Sequence, residues 1–177
     1  MDERIEVRLS GSGGQGLILA GIILAEATIL DGKNAVQSQS YGPEARGGAS
    51  RAEVIISNAS IDYPKVSKPD IMLALTAEAM IKYKSDLRED GILIIDSSME
   101  RPEDSYKILR VPILKTAQEK IGKVIVANIV ALGTLTLATG LVSKESIEKA
   151  VLDRVPKGTE ELNKRALYEG FELGKSK

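Results

Sequence analysis

The 177-residue sequence contains neither cysteine nor histidine. The chain therefore has no thiolate and no imidazole, the groups that form disulfides, hold iron–sulfur clusters and zinc ions, and act as nucleophiles or general bases in many enzymes. These two absences exclude cysteine-held clusters, histidine and cysteine zinc sites, and every mechanism that needs either side chain.

Aromatic residues are also few, and neither positive nor negative charge predominates. There is no tryptophan, one phenylalanine and five tyrosines, so aliphatic side chains must build the core, and few rings are present on which nucleobases could stack. The 24 basic and 25 acidic residues nearly cancel and form no long block of one sign. A nucleic-acid or membrane-surface partner is not indicated, and we expect small-molecule or protein partners.

The length indicates a single domain, spanning residues 1–177. The 20 residues of 124–143 carry no charge and are long enough to cross a bilayer, but Asn128, several threonines and two glycines favour a buried helix. The apolar run that begins at Leu17 resembles an export signal. It follows a glycine-rich turn and an acidic N-terminus, so we interpret it as a core helix.

The glycine-rich stretch between Ser10 and Gly16 reads S-G-S-G-G-Q-G. It follows an alternating run in which Ile5, Val7 and Leu9 are separated by charged residues, Glu6 and Arg8, which is typical of a half-buried strand. The apolar run 17–30 follows it and predicts a helix. Glycines permit positive φ angles and let backbone N–H groups point outward together, so the sequence predicts a strand–turn–helix unit that suits an anion.

The same glycines fit G-x-G-x-x-G, the pattern of dinucleotide-binding turns. Such a turn should be followed, about 20 residues on, by an acidic residue at the end of the second strand. The second strand is predicted over 35–40 and ends without a carboxylate, since Asp31 and Glu44 lie outside it. A dinucleotide-binding oxidoreductase and a turn used only for close packing both remain alternatives.

Residues 41–48 read Y-G-P-E-A-R-G-G and predict a shaped loop, because Gly-Pro and Gly-Gly disfavour regular structure. The Arg46 guanidinium could donate two parallel hydrogen bonds to a carboxylate or a phosphate. The alternative is an ordinary ion pair at the surface or at an interface.

The remaining pattern predicts an α/β fold: a Rossmann-like, three-layer, mostly parallel sheet with a glycine-rich first strand–helix turn. The helix 17–30 lacks a polar stripe, so we expect a second chain to cover its outer face. Asp96 follows a predicted strand and could contact a ligand or cap a turn. We predict a hairpin of 49–57 with 61–63, and further strands over 71–75, 92–95 and 106–111. The predicted helices cover 77–87, 127–139, 143–155 and 159–173. Residues 124–126 could form either a last strand or the entry to the helix that follows.

Four stretches together carry a resemblance to a known family: S-G-S-G-G-Q-G at 10–16, S-Y-G-P-E-A-R-G-G at 40–48, P-D-I-M-L-A-L at 69–75 and A-N-I-V-A-L-G at 127–133. They closely resemble the gamma subunit of 2-oxoacid:ferredoxin oxidoreductases, over residues 5 to about 140. The wording of the second stretch is most similar to the 2-oxoglutarate and branched-chain 2-oxoacid members.

This resemblance implies a subunit of a cytoplasmic, heteromeric complex that oxidatively decarboxylates a 2-oxoacid, 2-oxoglutarate being the expected one, to its acyl-CoA. Electrons would pass to ferredoxin through thiamine diphosphate, Mg²⁺ and iron–sulfur clusters. The chain has no cysteine and no G-D-G followed by asparagine, so the resemblance assigns these cofactors to alpha, beta and ferredoxin-like delta partner subunits, with CoA as co-substrate.

The resemblance implies no catalytic residue and no metal ligand on this chain, and two elements that face the shared active-site or CoA region. The first is the turn of Ser12, Gly13, Gly14, Gln15 and Gly16, and the second is the loop containing Tyr41, Glu44, Arg46 and Gly47. Ser12 departs from the family pattern, in which a larger residue is often found. A pure scaffold subunit that contacts no ligand is the remaining alternative.

Overall fold

The computed structural model describes residues 4–40, 48–103 and 105–176, which include a six-stranded sheet. The sheet order is β2-β3-β1-β4-β5-β6, and β3 runs antiparallel to both of its neighbours while the other ladders are parallel. The predicted mostly parallel α/β fold is confirmed. The strands are β1 (Arg4–Ser12), β2 (Asn34–Gln39), β3 (Ala49–Ser57), β4 (Ile71–Ala74), β5 (Ile92–Asp96) and β6 (Lys107–Val111).

Helices cover both faces of the sheet and make three layers. The helices are α1 (Leu17–Leu30), α2 (Ala77–Tyr83), α3 (Ile113–Lys115), α4 (Ala127–Thr139), α5 (Lys144–Arg154) and α6 (Glu160–Gly174). The larger apolar core lies between the sheet and α1, α4, α5 and α6, and the smaller one lies under α2. Short helical turns at Lys84–Asp86, Thr116–Ile121 and Val124–Val126 extend or precede these helices. The last of them shows that 124–126 is the entry to α4 and not a strand.

The predicted hairpin of 49–57 with 61–63 is wrong. Strand β3 is paired on both edges, with β1 and β2, and residues 61–63 form no strand. Side chains of β1 hold the following segment instead. The Arg4 guanidinium donates to the carbonyls of Tyr63 at 2.7 Å and Lys65 at 2.9 Å, and the Glu6 carboxylate accepts from the amide of Ser67 at 2.9 Å.

The prediction that a second chain covers the outer face of α1 is also wrong for most of the helix. One face of α1 packs on β2 and β3, and α5 and α4 of the same chain pack against other parts of it. Arg154 of α5 forms an ion pair with Glu26 of α1. Large exposed apolar side chains on α1 are confined to its ends, at Ile18, Ile29 and Leu30. The polar stripe is missing because the helix is buried within its own chain.

Most of the uncharged stretch 124–143 forms α4, whose residues 127–136 are buried as predicted, whereas Val124 and Ile125 in the entry to the helix are exposed. Its Gly133 packs directly on the backbone of α6, where an added Cβ would lie 2.2 Å from the Leu167 carbonyl oxygen. Within the described ranges, no helix is both long enough and apolar enough to cross a membrane.

Candidate functional site

The glycine turn joins the carboxyl end of β1 to the N-terminus of α1. Gly14 and Gly16 adopt φ angles of 87° and 74°, in the left-handed region that disfavours other residues. An added Cβ at Gly11 would lie 2.2 Å from Oε1 of Gln15, so a side chain there would displace the Gln15 side chain. The positive φ angles at Gly14 and Gly16 are what require glycine in this connection.

Gln15 stabilises this turn by hydrogen bonds to Ser12. Its Oε1 accepts a hydrogen bond from the Ser12 amide at 2.8 Å, and its own amide donates to the Ser12 carbonyl at 3.3 Å. The carbonyl end of the Gln15 side chain is therefore engaged with the turn. Its Nε2 has no hydrogen-bond partner among the described residues.

The N-terminus of α1 has no side-chain cap. Gly16 is the N-cap residue and supplies no capping side chain, and the first turn holds no acidic residue. The first backbone bond of the helix runs from the Ala20 amide to the Gly16 carbonyl at 3.0 Å. The N–H groups of residues 17–19 have no acceptor in the described part of the chain. These free donors lie at the positive end of the helix dipole, which favours negative charge.

Asn128, in the first turn of α4, connects the glycine turn to α4 by a hydrogen bond. Its Nδ2 donates to the Gly16 carbonyl at 3.1 Å, and its Oδ1 accepts from the Ile129 amide at 2.9 Å. A Cβ on Gly16 would lie 2.5 Å from Asn128 Nδ2. In the sequence, Asn128 is distinguished as a polar residue in an apolar stretch and as part of the A-N-I-V-A-L-G stretch, but neither feature identifies Gly16 as its partner.

The second predicted element lies largely outside the described residues, because Tyr41, Glu44, Arg46 and Gly47 all fall in the undescribed range 41–47. Both flanks of this range are described. The Gly13 amide donates to the Gly48 carbonyl at 3.4 Å, and Ala49 pairs with Ser12 across the β1–β3 ladder. The end of the second element thus lies directly beside the glycine turn.

Asp96 lies at the same edge of the sheet but acts as a cap. Its two carboxylate oxygens accept hydrogen bonds from the Ser98 amide at 2.9 Å and the Leu114 amide at 2.7 Å, and the residue is 2% exposed. Of the two roles predicted for Asp96, the structure supports the cap.

The sequence from residue 6 to residue 173 matches the family described as pyruvate ferredoxin/flavodoxin oxidoreductase. The chain belongs to this family. It is 54% identical over 177 residues to the 2-oxoglutarate synthase subunit KorC of Methanocaldococcus jannaschii, covering 97% of this chain and 95% of that protein. It is 52% identical to the subunit of the same name from Methanothermobacter thermautotrophicus, with 98% and 96% covered.

A solved structure of a family member has the same fold. The gamma subunit of the keto/oxoacid ferredoxin oxidoreductase from Geobacter sulfurreducens is 53% identical, with a TM-score of 0.90 and 97% of each chain covered. The family match over residues 6–173 includes the glycine turn and α4.

The alternative of a self-standing dinucleotide enzyme is not favoured in this family member. Asp31, an acidic residue near the second strand, lies at the opposite end of α1 from the glycine turn. Its carboxylate accepts from the amide and hydroxyl of Ser143, at 2.6 and 2.7 Å, and from the hydroxyl of Ser146 at 2.6 Å. Burial raises the pKa of Asp31, but these hydrogen bonds outweigh burial and lower it below its ordinary value. Asp31 therefore caps α5 and is not placed to bind a ribose at the turn.

Family members work as complexes that use thiamine diphosphate and iron–sulfur clusters. The described donor groups of this chain include no set of ligands for a cluster or for a metal ion. The chain has no cysteine for a cluster, and the described residues contain no group of three or more acidic side chains that could hold a metal ion. What the described part of the site offers is a set of fixed backbone donors.

Proposed function

We propose that this chain is the gamma subunit of a 2-oxoglutarate:ferredoxin oxidoreductase. The complex would oxidatively decarboxylate 2-oxoglutarate to its acyl-CoA and CO₂ and pass the electrons to ferredoxin. The observation that carries this proposal is the identity of 52–54%, over nearly the whole chain, to relatives named as 2-oxoglutarate synthase subunits.

The proposed partners are alpha and beta subunits, a ferredoxin-like delta subunit, and ferredoxin as the electron acceptor, all in the cytoplasm. Thiamine diphosphate, Mg²⁺ and the iron–sulfur clusters would be held by these partners, because this chain lacks ligands for them. When bound there, they would supply the carbanion and electron-transfer chemistry of the reaction. The gamma chain itself would contribute no catalytic residue.

The contribution of the gamma chain would be to bind and orient an anionic group at the edge of the shared active site. The free N–H groups of residues 17–19 and the turn of Ser12 to Gly16 form one part of this site, and Tyr41, Glu44, Arg46 and Gly47 form the other. Gln15 and Asn128 hold the turn, so its donors need little reorganisation when an anion arrives. The diphosphate of CoA and the carboxylates of 2-oxoglutarate are the anionic groups available.

We also propose that residues 1–177 form one catalytic domain of the gamma type. A single apolar core includes Val7 of β1 and Phe171 of α6, so the first and last elements stabilise each other. One cooperative transition in urea, followed by both circular dichroism and tyrosine fluorescence, is the expected result. Two separate transitions would contradict this proposal.

The test of the function is expression of this chain with and without its partner subunits. The purified complex should contain the chain in fixed proportion by mass spectrometry and should reduce a viologen dye when given 2-oxoglutarate and CoA. The purified chain alone should show no turnover. Turnover by the isolated chain, or a complex that uses other 2-oxoacids and not 2-oxoglutarate, would refute the proposal.

A further inference from the structure

Three large aliphatic side chains are exposed close to the Gly16–Asn128 contact. Ile18, in the first turn of α1, is 37% exposed, and Val124 and Ile125, which lead into α4, are 51% and 76% exposed. Ile18 follows Gly16 closely in the chain, and Val124 and Ile125 closely precede Asn128. All three therefore lie within about one helical turn of this contact. We call these three residues the aliphatic surface.

The fold of the chain does not account for this exposure. Val126, the next residue, is 4% exposed and belongs to the larger core, so the same short turn buries one aliphatic side chain and leaves two in solvent. No charged residue occurs in the stretch 124–143 that begins here. A single exposed aliphatic residue is ordinary, but several together in uncharged surroundings are typical of an interaction surface.

The aliphatic surface borders the free donors at the N-terminus of α1. The N–H groups of residues 17–19 have no acceptor in the described part of the chain, and Ile18 is one of these residues. Water would compete for these donors in the isolated chain. A protein surface packed on the neighbouring aliphatic side chains would exclude that water and strengthen the hydrogen bonds to a bound anion.

The length of one relative indicates what packs there. The chain is 33% identical over 150 residues to the ketoisovalerate oxidoreductase subunit VorA of Methanothermobacter thermautotrophicus, covering 83% of this chain but 31% of that protein. In VorA, more than two-thirds of the sequence therefore lies outside the match and is held permanently beside the matching stretch. This favours a different polypeptide, and not a second copy, as the occupant of the aliphatic surface.

The size of the aliphatic surface indicates how it would contribute. Stable interfaces bury about 800 Å² on each partner, which is more than three partly exposed side chains can supply. A few central apolar side chains nevertheless provide much of the binding energy of many interfaces. The aliphatic surface is therefore suited to be the anchor of a wider contact.

We propose that Ile18, Val124 and Ile125 form a docking surface for a partner subunit, a different polypeptide that presents apolar side chains to them. The docked subunit covers the N-terminal ends of α1 and α4 and encloses the donors of residues 17–19. This inference rests on the proposed function, because it requires that the chain works in a complex with other subunits. It does not depend on which 2-oxoacid that complex uses.

Ile125→Asp tests the docking surface, and Ile81→Asp is the matched control. Ile81 is 68% exposed but belongs to α2, on the other face of the sheet. Because both side chains are in solvent in the isolated chain, both variants should unfold at nearly the wild-type urea concentration. Each full-length chain is titrated by calorimetry into the remaining subunits of the complex, purified without this chain.

Ile125→Asp should raise the Kd for these subunits at least about tenfold, because docking would bury a carboxylate among apolar side chains. Ile81→Asp should change the Kd by less than about twofold. Wild-type affinity in Ile125→Asp, or an equal loss in both variants, would overturn the docking surface. Normal assembly of a wild-type complex that does not turn over 2-oxoglutarate would refute the proposed function and leave this inference intact.

Two measurements on the wild-type chain locate the contact and its occupant. Amide hydrogen exchange at residues 17–19 should become at least about tenfold slower when the complex assembles, and unchanged exchange there would overturn the proposal. Light scattering of the isolated chain examines the other occupant. A wild-type dimer that becomes a monomer in Ile125→Asp would show that a second copy binds the aliphatic surface, and would also overturn the proposal.

Discussion

Asn128 donates a hydrogen bond to the carbonyl of Gly16, a residue 112 positions earlier in the chain, and this contact ties the N-terminal turn of α4 to that of α1. The Oδ1 atom of the same side chain accepts from the Ile129 amide, so both ends of the amide are used. One side chain, 5% exposed, therefore holds together the two helix ends at the candidate site.

Asn128→Ala should destabilise the chain by about 1–3 kcal/mol, because it leaves the buried Ile129 amide without its acceptor and removes one of the two donors to the Gly16 carbonyl, which keeps the bond from the Ala20 amide. Asn34→Ala is the matched control, since Asn34 also donates to a distant carbonyl, that of Ala59 at 3.0 Å, but is exposed. The control should lose less than about 0.5 kcal/mol. Urea unfolding measures both, and equal losses would contradict the role given to Asn128.

Much of the secondary structure could be predicted from local patterns. The continuous apolar runs of β4 and β5 indicate strands buried on both faces, and the apolar run 17–30 matches α1 from Leu17 to Leu30. Ser143 precedes α5 and accepts from the Ser146 amide at 3.1 Å, as expected of an N-cap residue. In each case the pattern of a few neighbouring residues is sufficient to predict the element.

Contacts between distant residues could not be predicted in the same way. The alternation in β1 shows that Arg8 faces away from Val7 and Leu9, but whether that face is solvent or core depends on α2 covering it. The partners of β3 depend in the same way on strands far away in sequence. Asn128 could be singled out as a polar residue in an apolar stretch, but nothing local identifies Gly16 as its partner.

The crossing of α4 and α6 should not tolerate a single methyl group. A Cβ at Gly170 would lie 2.1 Å from the Val130 carbonyl oxygen and 2.9 Å from the Cα of Gly133, both of them backbone atoms that cannot move without shifting a helix. Gly170→Ala should therefore cost about 3 kcal/mol or more of unfolding free energy.

Gly21→Ala is the comparison for this variant. Gly21 also lies in a helix, but an added Cβ would meet the Ala52 Cβ at 3.1 Å and the flexible side chain of Gln37 at 3.5 Å. The gain in helix propensity, about 1 kcal/mol, offsets that crowding, so the net change should lie within about 1 kcal/mol of zero. If Gly170→Ala unfolded at the same urea concentration as Gly21→Ala, the close crossing would be refuted.

The contribution of Asp31 to stability should depend on pH. Because the pKa of Asp31 is lowered in the folded chain, the unfolded chain binds the proton more readily, and the stabilisation is fully present above the ordinary value of 3.8 and is lost as the pH falls below it. Asp31→Asn should therefore be less stable than wild type near neutral pH, and the difference should shrink in acid.

Urea unfolding at a series of pH values, from neutral down into the acid range, measures this difference. Asp62→Asn is the control, because Asp62 is exposed and has no hydrogen-bond partner within the described residues. The control should match wild type throughout. A difference between wild type and Asp31→Asn that stays constant through the acid range would show that the capping bonds to Ser143 and Ser146 do not depend on the ionised carboxylate.

Arg46→Ala separates a subunit that contacts a ligand from a pure scaffold. If the guanidinium makes a charge-assisted hydrogen bond to CoA or to 2-oxoglutarate, its removal should cost about 1.5–3 kcal/mol of binding and raise the KM for that substrate, with kcat less affected. In the wild-type complex the KM for that substrate should rise at high salt, because salt screens an ionic contact.

The control for this variant is Arg101→Ala, which removes the same charge from an exposed arginine that has no hydrogen-bond partner among the described residues. Both variant complexes should assemble with wild-type stoichiometry, as measured by size-exclusion chromatography with light scattering. A rise in KM confined to Arg46→Ala would assign that residue to the substrate entrance. Normal assembly with unchanged KM and kcat in Arg46→Ala would make Arg46 an ordinary surface or interface charge, and the scaffold alternative would then describe the subunit correctly.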